Sequence, residues 1–286
     1  LLCDIALPQI GVITNIGTVH AERAGSQTEI ARGKAELVES LPSAPQGVAI
    51  LNYDDPLVRQ MSEKTKASVF FYGLSPAADL WADKIQGQGL NGISLDLHYQ
   101  GSKHHVQVPL LGKHSAETIL RAVATGLSAG LTWKEIMLGL QKGHAPLRLV
   151  AVRTKNGALL LDDTYNATPE STLAALDLLA ELAGHKIAVL GDMLELGAYE
   201  EIGHQQVGKK AAEVVHQLIT VGKLGHLIAE KAKETGLPEN AITSVNDANE
   251  VVKILKDRLS ANDVVLIKGS HALHLDTISA TLEKIP

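Results

Sequence analysis

The tightest constraint on this chain is a rhythm in its second half. Short apolar, β-prone runs at 158–161, 186–190, 217–221, 241–245 and 264–267 alternate with segments long enough for a helix. That spacing predicts βαβ units and an open, mostly parallel sheet, so the fold class is α/β. Ligands of such sheets bind beyond the carboxyl ends of the strands. Loops that directly follow strands are therefore where chemistry is expected.

The first half begins the same way. Gly11 to Gly17 reads as a buried strand, and Ser26-Gln27-Thr28-Glu29 is a capping box that opens a helix running to about Leu41. Strands are expected at 48–51 and 68–72, with the turn Asn52-Tyr53-Asp54-Asp55-Pro56 after the first. Alternation over 85–110 predicts antiparallel hairpins. Two helices follow, at 116–129 and 133–141, the second opened by the capping box Thr132 to Glu135. Gly143-His144-Ala145-Pro146 breaks the pattern, and the domain boundary is expected near Arg148. With 286 residues, two domains are the natural prior at roughly 150 residues each.

Composition narrows the class. A formal net charge of −6 without a long basic run argues against a nucleic-acid partner. No apolar run approaches the length of a membrane span. A single cysteine, Cys3, rules out a disulfide framework and suits a reducing cytoplasm. The start, Leu1 to Ala6, has neither an initiator Met nor a basic leader, and it reads as a chain entered in mid-domain. No GxxxxGK[ST], HExxH, CxxC or GxSxG run occurs in these residues.

Several residues are candidates for chemistry. Lys34 shares the apolar stripe of Ile30, Ala31, Leu37, Val38 and Leu41. It reads either as a lysine snorkelling at the core edge or as a functional lysine aimed at the site. His20 lies in the loop after the first strand, where one histidine is weak evidence for metal. Asp162 to Pro169 reads as a loop after a strand. A helix cap explains Thr168 and Pro169 but not the paired carboxylates with Tyr165 and Asn166. Gly191-Asp192 to Gly197 also follows a strand. Lys268-Gly269-Ser270-His271 follows the last one, either as turn and cap or as a cation with N–H groups facing an anion.

Taken together, these segments resemble the Mur ligases of bacterial cell-wall synthesis, most of all the branch that adds D-alanyl-D-alanine. The resemblance rests on Thr14-Asn15-Ile16-Gly17 with His20, Gly25-Ser26 through Lys34, Leu51-Asn52 with Asp54-Asp55-Pro56, Asp163 to Ala167, and Leu190 to Gly197. It runs over essentially the whole chain. It implies a partial central ATPase-type α/β domain over 1–148 and a Rossmann-like acceptor-binding domain over 149–286. The first domain, the phosphate loop and an upstream magnesium-binding glutamate are expected to lie outside these residues, leaving an inactive fragment. It implies ATP and Mg2+ as cofactors, and UDP-N-acetylmuramoyl-tripeptide and D-alanyl-D-alanine as substrates joined through an acyl phosphate. The full-length form is expected to be a cytoplasmic monomer.

Residue by residue, the resemblance makes His20 a magnesium ligand and Lys34 a carbamylated lysine on the same ion. Asn52, His114 and Arg148 fall to the nucleotide, and Asp163 to its ribose. Asn166, Asp192, Lys268, Ser270 and His271 fall to the acceptor. Two departures stand out. The family's His-Asn-x-x-Asn is here His114-Ser115-Ala116-Glu117-Thr118, and the arginine usual after Lys-Gly-Ser is His271. The competing expectations are a sister amide ligase acting on folate or an amino-acid polymer, and a non-catalytic binding module on the same fold.

Overall fold

The computed structural model describes residues 2–18, 21–142 and 149–283. The chain divides into two compact units, Leu1–His144 and Ala145–Pro286. Both are mixed α/β, as the strand–helix rhythm predicted.

In the first unit, helix α1 (Leu2–Ala6) precedes β1 (Ile10–Ile13), α2 (Ala21–Ala24) and α3 (Gln27–Glu39). Then come β2 (Val48–Asn52), α4 (Pro56–Arg59), β3 (Ser68–Gly73), β4 (Leu80–Gly87), β5 (Ile93–Tyr99) and β6 (Ser102–Val108). Helices α5 (Ser115–Ser128) and α6 (Trp133–Gln141) end the described part. The sheet order is β1-β2-β3-β4-β5-β6. β1 to β4 run parallel, and β4-β5-β6 is the antiparallel meander that alternation predicted.

Side-chain alternation makes this unit three-layered. Along β2, Ala49 and Leu51 pack with Ala35, Val38, Val58 and Met61 on one face. Ile50, between them, packs with Tyr72, Leu80, Ile119 and Leu120 on the other. Of the capping box expected at Ser26, the Ser26 half forms, its hydroxyl accepting from Glu29 N at 3.2 Å. The expected strand over 11–17 stops at Ile13, so Thr14 to Gly17 belong to the strand-end loop.

The second unit opens with β7 (Val150–Arg153), then β8 (Leu159–Asp163), α7 (Pro169–Glu181), β9 (His185–Gly191) and α8 (Glu200–Val214). β10 (Gln217–Val221), α9 (Gly225–Thr235), β11 (Ile242–Val245), α10 (Ala248–Leu255), β12 (Asp263–Lys268) and α11 (Asp276–Leu282) complete it. The sheet order is β11-β10-β9-β12-β8-β7, parallel except for β7. β7 was not singled out from the sequence; Val150 to Arg153 is mostly exposed and lacks a buried face.

β12 enters last and lies between β8 and β9. The loops after those three strands therefore meet at one end of the sheet. One expectation needs correcting there. Asp162 and Asp163 are strand residues rather than loop residues, paired in register with Ile267 and Lys268 of β12. The loop proper starts at Thr164. Its cap is as expected: Thr168 and Ser171 form a reciprocal capping box with Pro169 at the first turn of α7.

Candidate functional site

In the first unit, polar side chains gather where β1, β2 and β3 end. Asn52, the last residue of β2, donates to Thr14 O at 3.0 Å and accepts from Asp54 N at 3.0 Å. Asp55 caps α4 through Leu57 N and Val58 N and also accepts from Ile16 N at 2.7 Å. Asp54 accepts from Leu74 N and Ser75 N. These bonds tie the loop after β1 to those after β2 and β3.

Lys34 projects from α3 toward the same end. The inward face of α3 centres on Ala35 and Val38, so Lys34 flanks the core rather than entering it. Its side chain is largely exposed, but its ammonium donates to Asn15 O at 2.7 Å. Desolvation pulls its pKa below the usual lysine value, opposed by the Asp55 carboxylate. A cavity of about 890 Å³ opens beside it, lined in part by Pro8, Val12, Thr14, Gly33 and Leu37. The stem of Lys34 thus flanks the core, and its head reaches the strand-end loop.

Three groups in this region were not singled out from the sequence. The Tyr72 hydroxyl lies 3.4 Å from Ile13 O, and its pKa is pushed up to about 12 by desolvation, with Arg121 opposing and Glu117, Asp54 and Asp55 adding to it. Glu117 is also raised, first by desolvation, with Arg121 opposing and Asp54 and Asp55 contributing. Arg121 donates to Thr118 Oγ1 at 2.5 Å. A sequence signal existed for Glu117 and for the Thr118 that Arg121 bonds, since both stand inside the departing His-Ser-Ala-Glu-Thr segment. His114 occupies the N-cap position of α5. His20 and Arg148 lie outside the described residues.

In the second unit, the expected residues converge on the ends of β8, β9 and β12. Lys268 is 2% exposed, and its ammonium donates to Asp163 at 2.6 Å and to Asn166 O at 2.9 Å. Asp162 accepts from Thr164 N, Thr164 Oγ1 and the Ser279 hydroxyl. Ser270 Oγ accepts from Leu194 N at 2.9 Å, while Ser270 N donates to Asp192 O. Asn166 Oδ1 accepts from Ala167 N. Tyr165, His271 and His274 sit exposed around them, with ring centroids 6.3 Å apart for Tyr165–His271 and 5.9 Å for His271–His274.

Asp192 has an occupation the sequence did not reveal. Its carboxylate accepts from Lys223 N at 3.1 Å, Leu224 N at 2.8 Å and Gly225 N at 2.8 Å, the start of α9. Carboxylates are favoured there by the unpaired N–H groups and the helix dipole. Gly222 permits this approach: its φ is +95°, and a Cβ would come within 2.5 Å of the Asp192 carboxylate. Gly222→Ala is therefore expected to cost roughly 1–3 kcal/mol, readable by chemical denaturation; an unchanged midpoint would contradict the packing.

His204 is the clearest residue that sequence reasoning missed. It is fully buried on α8, its Nε2 accepting from Met193 N at 3.0 Å and its Nδ1 donating to Glu200 O at 2.6 Å. That locks the loop after β9 onto α8. Burial pulls its pKa below the usual 6.5, opposed by the Glu200 carbonyl and by Asp192. The neutral form is the folded one, so the unfolded chain takes up the proton first as pH falls. Stability is present above pH 6.5 and declines as pH falls below it. His204→Gln should reduce the slope of stability against pH in that window, measured by denaturation at several pH values.

Among the described residues, no group of three or more His, Cys, Asp or Glu side chains is placed to hold a metal ion. An unmodified Lys34 is a cation and a donor, so it does not fit a metal as it stands. No helix among the described residues is long and apolar enough to cross a membrane.

Fold and strand-end clusters together define a two-unit α/β protein with polar loops at the carboxyl ends of parallel strands. The Mur ligase middle domain model matches residues 1–126, and the Mur ligase, glutamate ligase domain model matches residues 147–271. The chain belongs to the Mur ligase family. It is similar to the UDP-N-acetylmuramoyl-tripeptide–D-alanyl-D-alanine ligase of Bacillus subtilis, 32% identical over 100% of this chain and 62% of that protein. Among solved structures it is similar to MurF from Acinetobacter baumannii, with a TM-score of 0.85, 28% identity and coverage of 98% of this chain and 60% of that one. It shares the fold of the MurF ligase of Thermotoga maritima in complex with ADP, with a TM-score of 0.83, 24% identity and coverage of 99% and 63%. The chain thus spans about three-fifths of the length of the relatives it matches.

Proposed function

We propose that these residues serve an ATP-dependent, ADP-forming amide ligase that joins D-alanyl-D-alanine to UDP-N-acetylmuramoyl-tripeptide in peptidoglycan synthesis. The observation that carries this reading is similarity across the whole chain to a ligase of that name. In the reaction, the tripeptide carboxylate attacks the γ-phosphate of ATP and ADP leaves. The amine of the dipeptide then attacks the acyl phosphate carbonyl, and phosphate leaves. Protein groups contribute chiefly position and charge.

The first unit is the proposed nucleotide side, with Asn52, His114 and Arg148 as its residues. ADP in the Thermotoga maritima relative supports ATP as the nucleotide. Magnesium is proposed as its companion, with His20 and a carbamylated Lys34 as ligands. The lowered pKa of Lys34 favours that modification, because the neutral amine is the form that adds CO2 and releases a proton. The second unit is the proposed acceptor side. Asp163, carried over as the ribose contact, is already paired with Lys268, and the acceptor residues Asn166 and Ser270 hold neighbouring loop backbone. We assign Asp192 and Lys268 to positioning those loops, since their charged groups are already engaged. His271 stays as the acceptor contact.

An ADP-release assay tests the reading. These residues contain no GxxxxGK[ST] run, so the purified chain is expected to bind D-alanyl-D-alanine in preference to glutamate yet release no ADP with both substrates. Preference for glutamate would favour a sister ligase. Binding of neither would favour a non-catalytic module. Turnover would remove the need for an additional phosphate loop.

A further inference from the structure

We infer that His204, buried on α8, is a positioning residue of the acceptor side: its neutral imidazole sets the loop after β9 and, through it, the loop after β12. The inference rests on the acceptor reading above and adds to it a residue that acts without touching the ligand.

Three consecutive residues bridge the two loops. Asp192 O accepts from Ser270 N at 3.0 Å, Met193 N donates to His204 Nε2 at 3.0 Å, and Leu194 N donates to Ser270 Oγ at 2.9 Å. The bond to His204 is thus flanked on both sides by bonds to Ser270. His204 holds the α8 side of this bridge, fully buried, with Nδ1 donating to Glu200 O at 2.6 Å. A carbonyl partner makes Nδ1 the protonated nitrogen, which leaves Nε2 as the acceptor that Met193 N needs.

The loop depends on such outside support. Glu195, next along, has a left-handed backbone with φ +65°. Side chains other than glycine keep that conformation where the surroundings hold it. The support itself is rigid, because α8 lies against the start of α7: a Cβ on Gly203 would come within 2.6 Å of Pro169 Cγ.

Protonation turns Nε2 from acceptor into donor. Two N–H groups would then face each other in a buried corner, and Met193 N must move away. Its neighbours on both sides are bonded to Ser270, so the displacement passes to the loop after β12. Burial keeps the imidazole neutral to below its usual 6.5. The Glu200 carbonyl and the carboxylates of Asp192 after β9 and Glu200 on α8 favour the proton, and His226 on α9 opposes it. α7 meets this corner with Pro169 and Thr172.

The test follows the amide and imidazole resonances of the chain, and its affinity for D-alanyl-D-alanine, from about pH 7.5 down to about pH 5. The Met193, Leu194 and Ser270 amides should shift in step with the His204 ring. The Lys223, Leu224 and Gly225 amides, held by the Asp192 carboxylate, should stay in place. Global unfolding would move both sets, which tells it apart. Affinity should be level down to pH 6.5 and below that weaken by up to about tenfold per pH unit as the ring takes up its proton. His204→Gln places an amide oxygen near the site of Nε2, an acceptor that does not titrate. It should bind the dipeptide like the parent near neutrality and keep that affinity in acid. His204→Leu, with no acceptor, should bind more weakly at every pH. Should it fail to fold, the parent and His204→Gln decide alone. Amides or affinity in the parent that do not follow the His204 ring would overturn the positioning role and leave the acceptor reading standing. An equal loss of affinity in His204→Gln would do the same. Absence of dipeptide binding by the parent at every pH would overturn both.

Discussion

Replacing Asp192 with alanine is expected to unfold the second unit more readily than any surface change in it. The substitution removes the acceptor of three backbone N–H groups at 2.8 to 3.1 Å, in a side chain that is 7% exposed. A hydrogen bond to a charged group contributes about 1.5–3 kcal/mol, and buried donors left without a partner add their desolvation cost. The three bonds share one carboxylate, so their values do not sum. A loss of about 3 kcal/mol is expected, lowering the thermal midpoint by roughly 10 °C in a unit of this size. Asp192→Asn keeps one acceptor oxygen and should recover part of it. Calorimetry on the three proteins decides the matter, and a midpoint in Asp192→Ala within a degree or so of the parent would show that the α9 start does not depend on this carboxylate.

Breaking the Lys268–Asp163 pair should be comparably costly, but in an asymmetric way. Lys268→Met leaves Asp163, 9% exposed, without the ammonium that sits 2.6 Å from it. Removing one partner of a buried ion pair costs about 3–5 kcal/mol, because the other charge stays buried. The double change Lys268→Met with Asp163→Asn should be far milder than Lys268→Met alone, since no uncompensated charge remains. Urea denaturation of the two singles and the double gives the coupling. If the double is as unstable as the sum of the singles, the pair is not the interaction that matters. Such a cycle separates the structural share of Lys268 from any effect on acceptor binding, which the titrations above measure.

How much of this was visible in the sequence differs by element. Most parallel strands were legible because their residues are buried on both faces and form continuous apolar runs, as in Val264 to Ile267. The meander over β4 to β6 was legible because apolar and polar side chains alternate along β5, even though Ser94 and Asp96 on its polar face are themselves buried. Cap residues at Ser26, Thr132 and Thr168 placed helix starts within a residue, since the bonds are local. β7 escaped although Val150-Ala151-Val152 is apolar, because a four-residue run beside the expected domain boundary cannot be assigned by periodicity alone.

The site was legible as a set of loops but not as a set of roles. Strand-end position marked Asp163, Asp192, Ser270 and His271 correctly as neighbours at one end of the sheet. Which of them hold each other depends on contacts between residues 31 to 105 positions apart, such as Asp192 with Lys223 and Asp163 with Lys268. No local pattern encodes such pairings. His204 was invisible for a related reason: a buried histidine on an amphipathic helix looks like any polar residue until both ring nitrogens are seen to be satisfied.

The Asp192 carboxylate has one more consequence. A strand-to-helix turn flanked by glycines, like Gly222 to Gly225, is the sort of place where α/β proteins seat the phosphates of a nucleotide. Here the chain brings its own anion to that seat from the neighbouring strand. The turn is therefore pre-empted: an incoming phosphate would have to expel a tethered carboxylate that is held at very high local concentration. The sheet retains the outline of a nucleotide binder while excluding nucleotides from that turn.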